Sequence, residues 1–233
     1  MSNNFVKYKV YNKTRLSSDV DCLSLLPVNK LKPDFLPGQF ITVYYDDSKV
    51  VEGKAYSISS APHEQYLNIT VKKIGEFSNM LCGLRPGSVI RASLPYGFFY
   101  SEAEIAPMVM IAGGIGIAPF RSMIIHNAKK SPDRAMHLLY SARTLTDLIF
   151  KDHFDELVDR NILKANYFVT REPVKDNTIQ PRRISAQDIL TYSQKYKQPE
   201  YFLCGSIDFV RTLWKDMTRH GIVEEQIYTE GFY

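Results

Sequence analysis

Apolar positions up to about residue 103 fall in runs of strand length broken by turn signals, and this rhythm predicts an antiparallel β domain. The predicted strands are Phe5 to Tyr11, Asp21 to Leu26, Phe40 to Tyr45, Lys54 to Ser59, Tyr66 to Val71 and Ser88 to Leu94. Pro37-Gly38, Asp46-Asp47, Pro62 and Pro86-Gly87 punctuate them. Short, regularly spaced strands of this kind point to a small antiparallel β-barrel, with one short helix beginning near Ser78. From Met108 the pattern alternates between strand and helix. Apolar runs at Met108 to Ala112, Ala135 to Tyr140, Ala165 to Val169 and Tyr201 to Cys204 interleave with helical stretches at Ala118 to Lys129, Phe150 to Arg160, Ser185 to Gln194 and Ile207 to His220. Such alternation implies an α/β domain with a parallel sheet covered by helices on both faces. Lys175 to Arg183 has the composition of an exposed loop, and the change of rhythm places a domain boundary at 103/104.

The first strand of the second half runs straight into Gly113-Gly114-Ile115-Gly116 and then into a helical stretch containing Pro119. Glycines let the backbone turn tightly and come close to a pyrophosphate, while the next helix offers unpaired N–H groups and the positive end of its dipole. The spacing differs from the G-x-G-x-x-G of the common dinucleotide fold, so the turn alone leaves open whether a nucleotide is bound.

Other segments give the turn its context. Phe35-Leu36-Pro37-Gly38-Gln39-Phe40 leads into a strand, and Lys54-Ala55-Tyr56-Ser57-Ile58-Ser59-Ser60-Ala61-Pro62 follows. Then come Val71-Lys72-Lys73-Ile74-Gly75-Glu76-Phe77-Ser78, Tyr201-Phe202-Leu203-Cys204-Gly205-Ser206 and the final Glu230-Gly231-Phe232-Tyr233. In this order and at these separations they resemble the ferredoxin-NADP reductase superfamily of flavoenzymes, over almost the whole chain.

The resemblance implies a flavin-binding β-barrel in residues 1–103 and an NAD(P)-binding α/β domain in residues 104–233. It sets Tyr56 against the flavin ring, Ser57 at flavin N5 and Lys54 at phosphate, where the family usually has Arg. Gly75 and Ser78 frame a helix start, with Ser78 expected as N-cap and neighbouring N–H groups facing the flavin phosphate. Gly113, Gly114, Gly116 and Pro119 belong to the pyridine nucleotide. Cys204, which by itself reads as a buried packing residue, is implied to position nicotinamide, with Glu230 as a polar contact beside it. A terminal aromatic is implied to cover the flavin, and Phe232 is preferred to Tyr233. Arg143, Arg171 and Arg183 lie in segments similar to those that recognise a 2′-phosphate, which favours NADPH over NADH. The implied flavin is FAD, with FMN as the alternative.

Composition narrows the partners. The net charge of +4 is spread along the chain without a basic block dense enough for nucleic acid. No apolar run approaches the roughly 20 residues needed to span a bilayer, and the polar start Met1-Ser2-Asn3-Asn4 does not read as a signal peptide, so a cytoplasmic protein is expected. Cys22, Cys82 and Cys204 form no C-x-x-C pair and supply no four-cysteine set for a [2Fe-2S] centre. The five histidines show no metal-ligand spacing and read as structural or surface residues. These readings combine into an enzyme that transfers hydride from NAD(P)H to FAD and passes electrons to a separate acceptor, ferredoxin or flavodoxin. Two alternatives stay open: a flavin reductase that uses free flavin as substrate, and a non-catalytic electron-transfer or regulatory subunit.

Overall fold

The computed structural model describes residues 5–29, 32–45, 52–103 and 105–232. The Asp46-Asp47 turn, the Met1-Ser2-Asn3-Asn4 start and Tyr233 lie outside the described residues. Two compact units divide the chain: one holds residues 1–100 with 121–126, the other 101–120 with 127–233.

In the first unit, β1 (Phe5–Arg15), β2 (Val20–Pro27), β3 (Phe40–Tyr44), β4 (Lys54–Ser57), β5 (Leu67–Lys72) and β6 (Val89–Ser93) form one sheet in the order β4-β3-β6-β1-β2-β5. Every pairing is antiparallel. The period-2 pattern explains the register, since one face must be buried and a one-residue slip would expose it. Along β1, buried Tyr8 and Val10 alternate with exposed Lys7, Lys9 and Tyr11. Leu23 and Leu25 of β2, Ile41 and Val43 of β3, and Ile69 and Val71 of β5 join them in one core, closed by Phe77 and Leu81 of α1 (Glu76–Gly83). Among the described residues, no ladder closes this sheet into the expected barrel. Its edges meet at a single bridge, Ile58 with Ile69, because β4 spans only four residues and its ladder to β3 ends at Ser57.

The second unit is built on β7 (Met108–Gly113), β8 (Met136–Ala142), β9 (Lys164–Val169), β10 (Ile179–Gln180), β11 (Glu200–Ser206) and β12 (Ile227–Phe232). All are parallel, in the order β10-β9-β8-β7-β11-β12. Connecting helices are α2 (Ile117–Lys130), α3 (Lys151–Asp159), α4 (Ala186–Ser193) and α5 (Ile207–Arg219). All seven residues of β8 are buried, as expected of a central strand covered on both faces. Two strands escape the periodicity. The two-residue β10 sits inside the segment that composition marks as an exposed loop, and β12 occupies the short terminal motif. Chain order moves outward from β7 through β8, β9 and β10, then returns to the other side of β7 as β11 and β12. The strand order therefore reverses between β7 and β11, and in open α/β sheets ligands bind beyond the carboxyl ends of the strands at such a point.

Candidate functional site

The glycine turn stands at this reversal. Gly114 has φ +55°, a conformation that disfavours any Cβ, and a Cβ built there would meet nothing within 4 Å. Its open side leaves room for a ligand to approach backbone. Gly116 is glycine for a different reason: a Cβ there would lie 2.2 Å from the Cys204 carbonyl oxygen and 2.7 Å from the Gly205 nitrogen. The turn is thus pressed against the end of β11, and α2 starts directly after it with Pro119 buried in its first turn.

Register carries the motif residues of β11 and β12 together. Ala112, Cys204 and Glu230 are successive partners across β7, β11 and β12, so their side chains leave the same face at the same height. Burial pushes the Cys204 thiol well above its ordinary value, and the Glu230 carboxylate adds to the shift. A thiol held protonated is a weak nucleophile but a small, polarizable neighbour, which suits positioning. Phe232 pairs with Ser206 at the end of β12 and is half-buried.

Arg143, Arg171 and Arg183 are exposed beyond the carboxyl ends of β8, β9 and β10. The backbone N–H of Arg171 donates to the Arg143 carbonyl at 2.9 Å, which sets those two positions side by side. Arg182 is committed elsewhere. It forks onto Asp188 at 2.6 and 2.7 Å and covers the Phe168 ring. Burial alone would raise the Asp188 carboxyl, but Arg182 and Ser185 outweigh it and bring the group down to about 2.

In the first unit, Lys54 is exposed, Tyr56 half-buried and Ser57 buried. The Tyr56 ring lies nearly parallel to that of Phe77, centroids 6.5 Å apart, and burial raises its phenol. Ser78 corrects the expectation of an N-cap: α1 starts at Glu76, Gly75 is the cap, and Ser78 is the third helical residue. Its Oγ reaches back to accept the N–H groups of Ile74 at 2.9 Å and Gly75 at 3.0 Å, so it closes the turn from inside. A Cβ at Gly75 would meet nothing within 4 Å, so the approach to this helix start is open. Glu76 opposes a phosphate there with its own charge in the first turn. An exposed cation, a half-buried aromatic and an open glycine turn fit a flavin; an open, left-handed glycine beside a buried thiol fits a pyridine nucleotide.

Sequence patterns gave no sign of Arg121 and Glu64. Arg121 Nη1 donates to the Ser59 carbonyl at 2.7 Å, and its two Nη atoms fork onto the Glu64 carboxylate at 3.0 Å each. Burial would raise the Glu64 carboxyl, but the Arg121 fork and the Ala61 N–H hold it below its ordinary value. Only the Arg-Ser pair after the glycine turn and an acid past Pro62 could have hinted at this pairing.

Among the described residues, no group of three or more His, Cys, Asp or Glu is arranged to hold a metal ion, and no helix is long and apolar enough to cross a membrane. Residues 7–100 match the oxidoreductase FAD-binding domain family, and residues 110–215 match the oxidoreductase NAD-binding domain family. A flavohemoprotein of Bacillus subtilis strain 168 is 29% identical over 234 residues, which cover 97% of this chain and 58% of the relative. Reductase component 2 of terephthalate 1,2-dioxygenase from a Comamonas species is 32% identical over 153 residues, 64% of this chain and 44% of that protein. Among solved structures, a ferredoxin NADP+ reductase from Neisseria gonorrhoeae superposes with a TM-score of 0.84 at 20% identity, covering 99% of each chain. The chain spans less than two thirds of the flavohemoproteins it matches. With a FAD-binding match followed by a NAD-binding match that together take in most of its length, the chain belongs to the oxidoreductase FAD-binding and NAD-binding domain families, and it shares the fold of the ferredoxin NADP+ reductase structure.

Proposed function

We propose that the chain takes hydride from NADPH onto FAD and passes the electrons to a separate acceptor, ferredoxin or flavodoxin, with residues 1–103 serving the flavin and 104–233 the nucleotide. The observation that carries this reading is the register that aligns Cys204 with Glu230 directly beside the glycine turn. Bound FAD supplies a centre that accepts two electrons together and releases them singly. Tyr56 covers the flavin ring, the Ser57 hydroxyl hydrogen-bonds at N5, and Lys54 with the open turn at Gly75 meets phosphate. Gly113, Gly114, Gly116 and Pro119 shape the seat of the pyridine-nucleotide diphosphate. Cys204, uncharged and small, would let the nicotinamide ring approach closely, with Glu230 as a polar contact beside it and Phe232 as the aromatic that would cover the flavin.

Arg143 and Arg171, side by side at the ends of adjacent strands, with Arg183 at the same end of the sheet, favour NADPH. The three free cysteines suit a reducing compartment, and the reading places the chain in the cytoplasm. A second reading rests on Lys54. A single exposed ammonium lacks the bidentate fork of arginine, which loosens phosphate binding and favours flavin as an exchangeable substrate. Oxidation of NADPH by the purified chain with FAD tests both. Turnover that needs only catalytic FAD and a ferredoxin or flavodoxin supports the first reading, turnover proportional to free flavin supports the second, and no oxidation with any acceptor refutes both.

A further inference from the structure

Strand β4 is short, and its ladder ends at Ser57, where the reading above needs a fixed hydroxyl. Beyond Ser57 the chain leaves the ladder, so the direction in which it exits depends on what holds the residues that follow. The segment from Ile58 to Glu64 is tied at nearly every step. Ile58 N–H donates to the Gln39 carbonyl at 2.9 Å, and the Ser59 Oγ accepts from Thr70 at 2.9 Å. Ser122 Oγ donates to the Ser60 carbonyl at 2.6 Å, and Lys32 donates to the carbonyl of Pro62 at 2.6 Å and to that of Glu64.

Arg121 is the only one of these groups that joins both ends of the segment. Its fork holds the Glu64 carboxylate while the same guanidinium grips the Ser59 carbonyl, two residues past Ser57. Glu64 in turn accepts the Ala61 N–H at 2.6 Å, so the loop closes on itself around the guanidinium. Arg121 keeps only 12% of its side chain exposed and Glu64 26%, which places the pair where charge-assisted bonds are strong and water competes poorly. We propose that Arg121 is a flavin-positioning residue: through Ser59 and Glu64 it sets the exit of β4 and thereby fixes Ser57 at flavin N5. It touches neither substrate nor flavin in this role. The inference rests on the flavin reading of the proposed function.

A lysine at this position offers a single ammonium, without the planar fork that holds both oxygens of the Glu64 carboxylate while gripping the Ser59 carbonyl. Three variants, Arg121→Lys, Arg121→Gln and Glu64→Gln, are compared with the parent protein for FAD affinity by fluorescence quenching, thermal unfolding, and rate of flavin reduction by NADPH at saturating FAD. The expected result is a graded loss in reduction rate, parent above Lys above Gln, reaching about tenfold or more for Arg121→Gln, since a small misplacement of a reacting pair costs on this scale. The absorbance band of the bound flavin should shift in the same order as its N5 environment changes. If the glutamine variant does not fold, the lysine and Glu64→Gln variants carry the test. Variants that melt earlier but reduce bound flavin at the parent rate with an unchanged spectrum would show a structural role only and overturn the proposal. A parent protein that neither binds nor reduces FAD would instead bring down the functional reading, and this inference with it.

Discussion

Replacing Gly116 by alanine tests the link between the glycine turn and Cys204. The added Cβ would sit 2.2 Å from the Cys204 carbonyl oxygen, 2.4 Å from its carbonyl carbon and 2.7 Å from the Gly205 nitrogen. All three are backbone atoms, so no side-chain rotation relieves the clash, and the turn and the end of β11 must separate by about 1 Å to regain ordinary contact. Overpacking of this kind costs about 1 to 3 kcal/mol, which lowers the melting midpoint on the order of 5 °C in a chain of this size. Because the displaced atoms belong to Cys204, kcat for flavin reduction should fall by up to about a hundredfold. Gly114→Ala provides the comparison. Its φ of +55° costs an alanine about 1 to 2 kcal/mol, yet nothing lies within 4 Å of the new Cβ, so Cys204 stays in place. That variant should lose similar stability but express it at the open side of the turn, as a higher KM for NADPH with kcat little changed. Urea unfolding and single-turnover reduction of both variants decide the matter. A Gly116→Ala protein within about 0.5 kcal/mol of the parent and with the parent kcat would refute the reasoning.

Tyr56→Ala should weaken FAD binding by roughly 1 to 3 kcal/mol, the scale of a lost aromatic stack with its buried area; an unchanged titration removes Tyr56 from the site. Arg171→Ala should lower kcat/KM for NADPH about tenfold or more and leave NADH nearly untouched, as expected from losing one charge-assisted bond to a 2′-phosphate. Equal losses for the two coenzymes would assign Arg171 to the fold. His137 predicts acid sensitivity. Burial drives its pKa down to about 4 from the ordinary 6.5, while its ring bonds Asn166 through Nε2 at 2.6 Å. Between those values the unfolded chain binds a proton that the folded chain does not, so stability falls as pH drops through the window, by up to about 3 kcal/mol. His137→Gln should flatten that part of the pH profile, and a profile identical to the parent's would contradict the assignment.

Most elements could be read from the sequence because each carries a clear period. Alternation in Phe5 to Tyr11 shows in the structure as buried Tyr8 and Val10 between exposed Lys7, Lys9 and Tyr11, and the unbroken apolar run of β8 shows as a strand buried on both faces. The misses have physical reasons. Ile179–Gln180 is too short to carry a period, and β12 alternates without burying a full face, since its pattern is half-buried and exposed only. Ser78 reads as a cap from its residue type, but the helix starts two residues earlier and its hydroxyl bonds backward. The partnership of Arg121 with Glu64 depends on residues 57 apart in the chain meeting in space, and no local pattern encodes such a contact. Cys204 and Glu230 were legible as motif residues, yet their shared height across β11 and β12 follows from register alone.

The proposed function requires that this chain carry hydride from a pyridine nucleotide to its flavin. Anaerobic mixing of the FAD-loaded protein with one equivalent of NADPH, followed by flavin absorbance, tests it most directly. The oxidised flavin band should bleach in a single turnover, more slowly in Cys204→Ala although that variant retains its FAD. A flavin band that stays unchanged in the parent protein with both NADPH and NADH would contradict it.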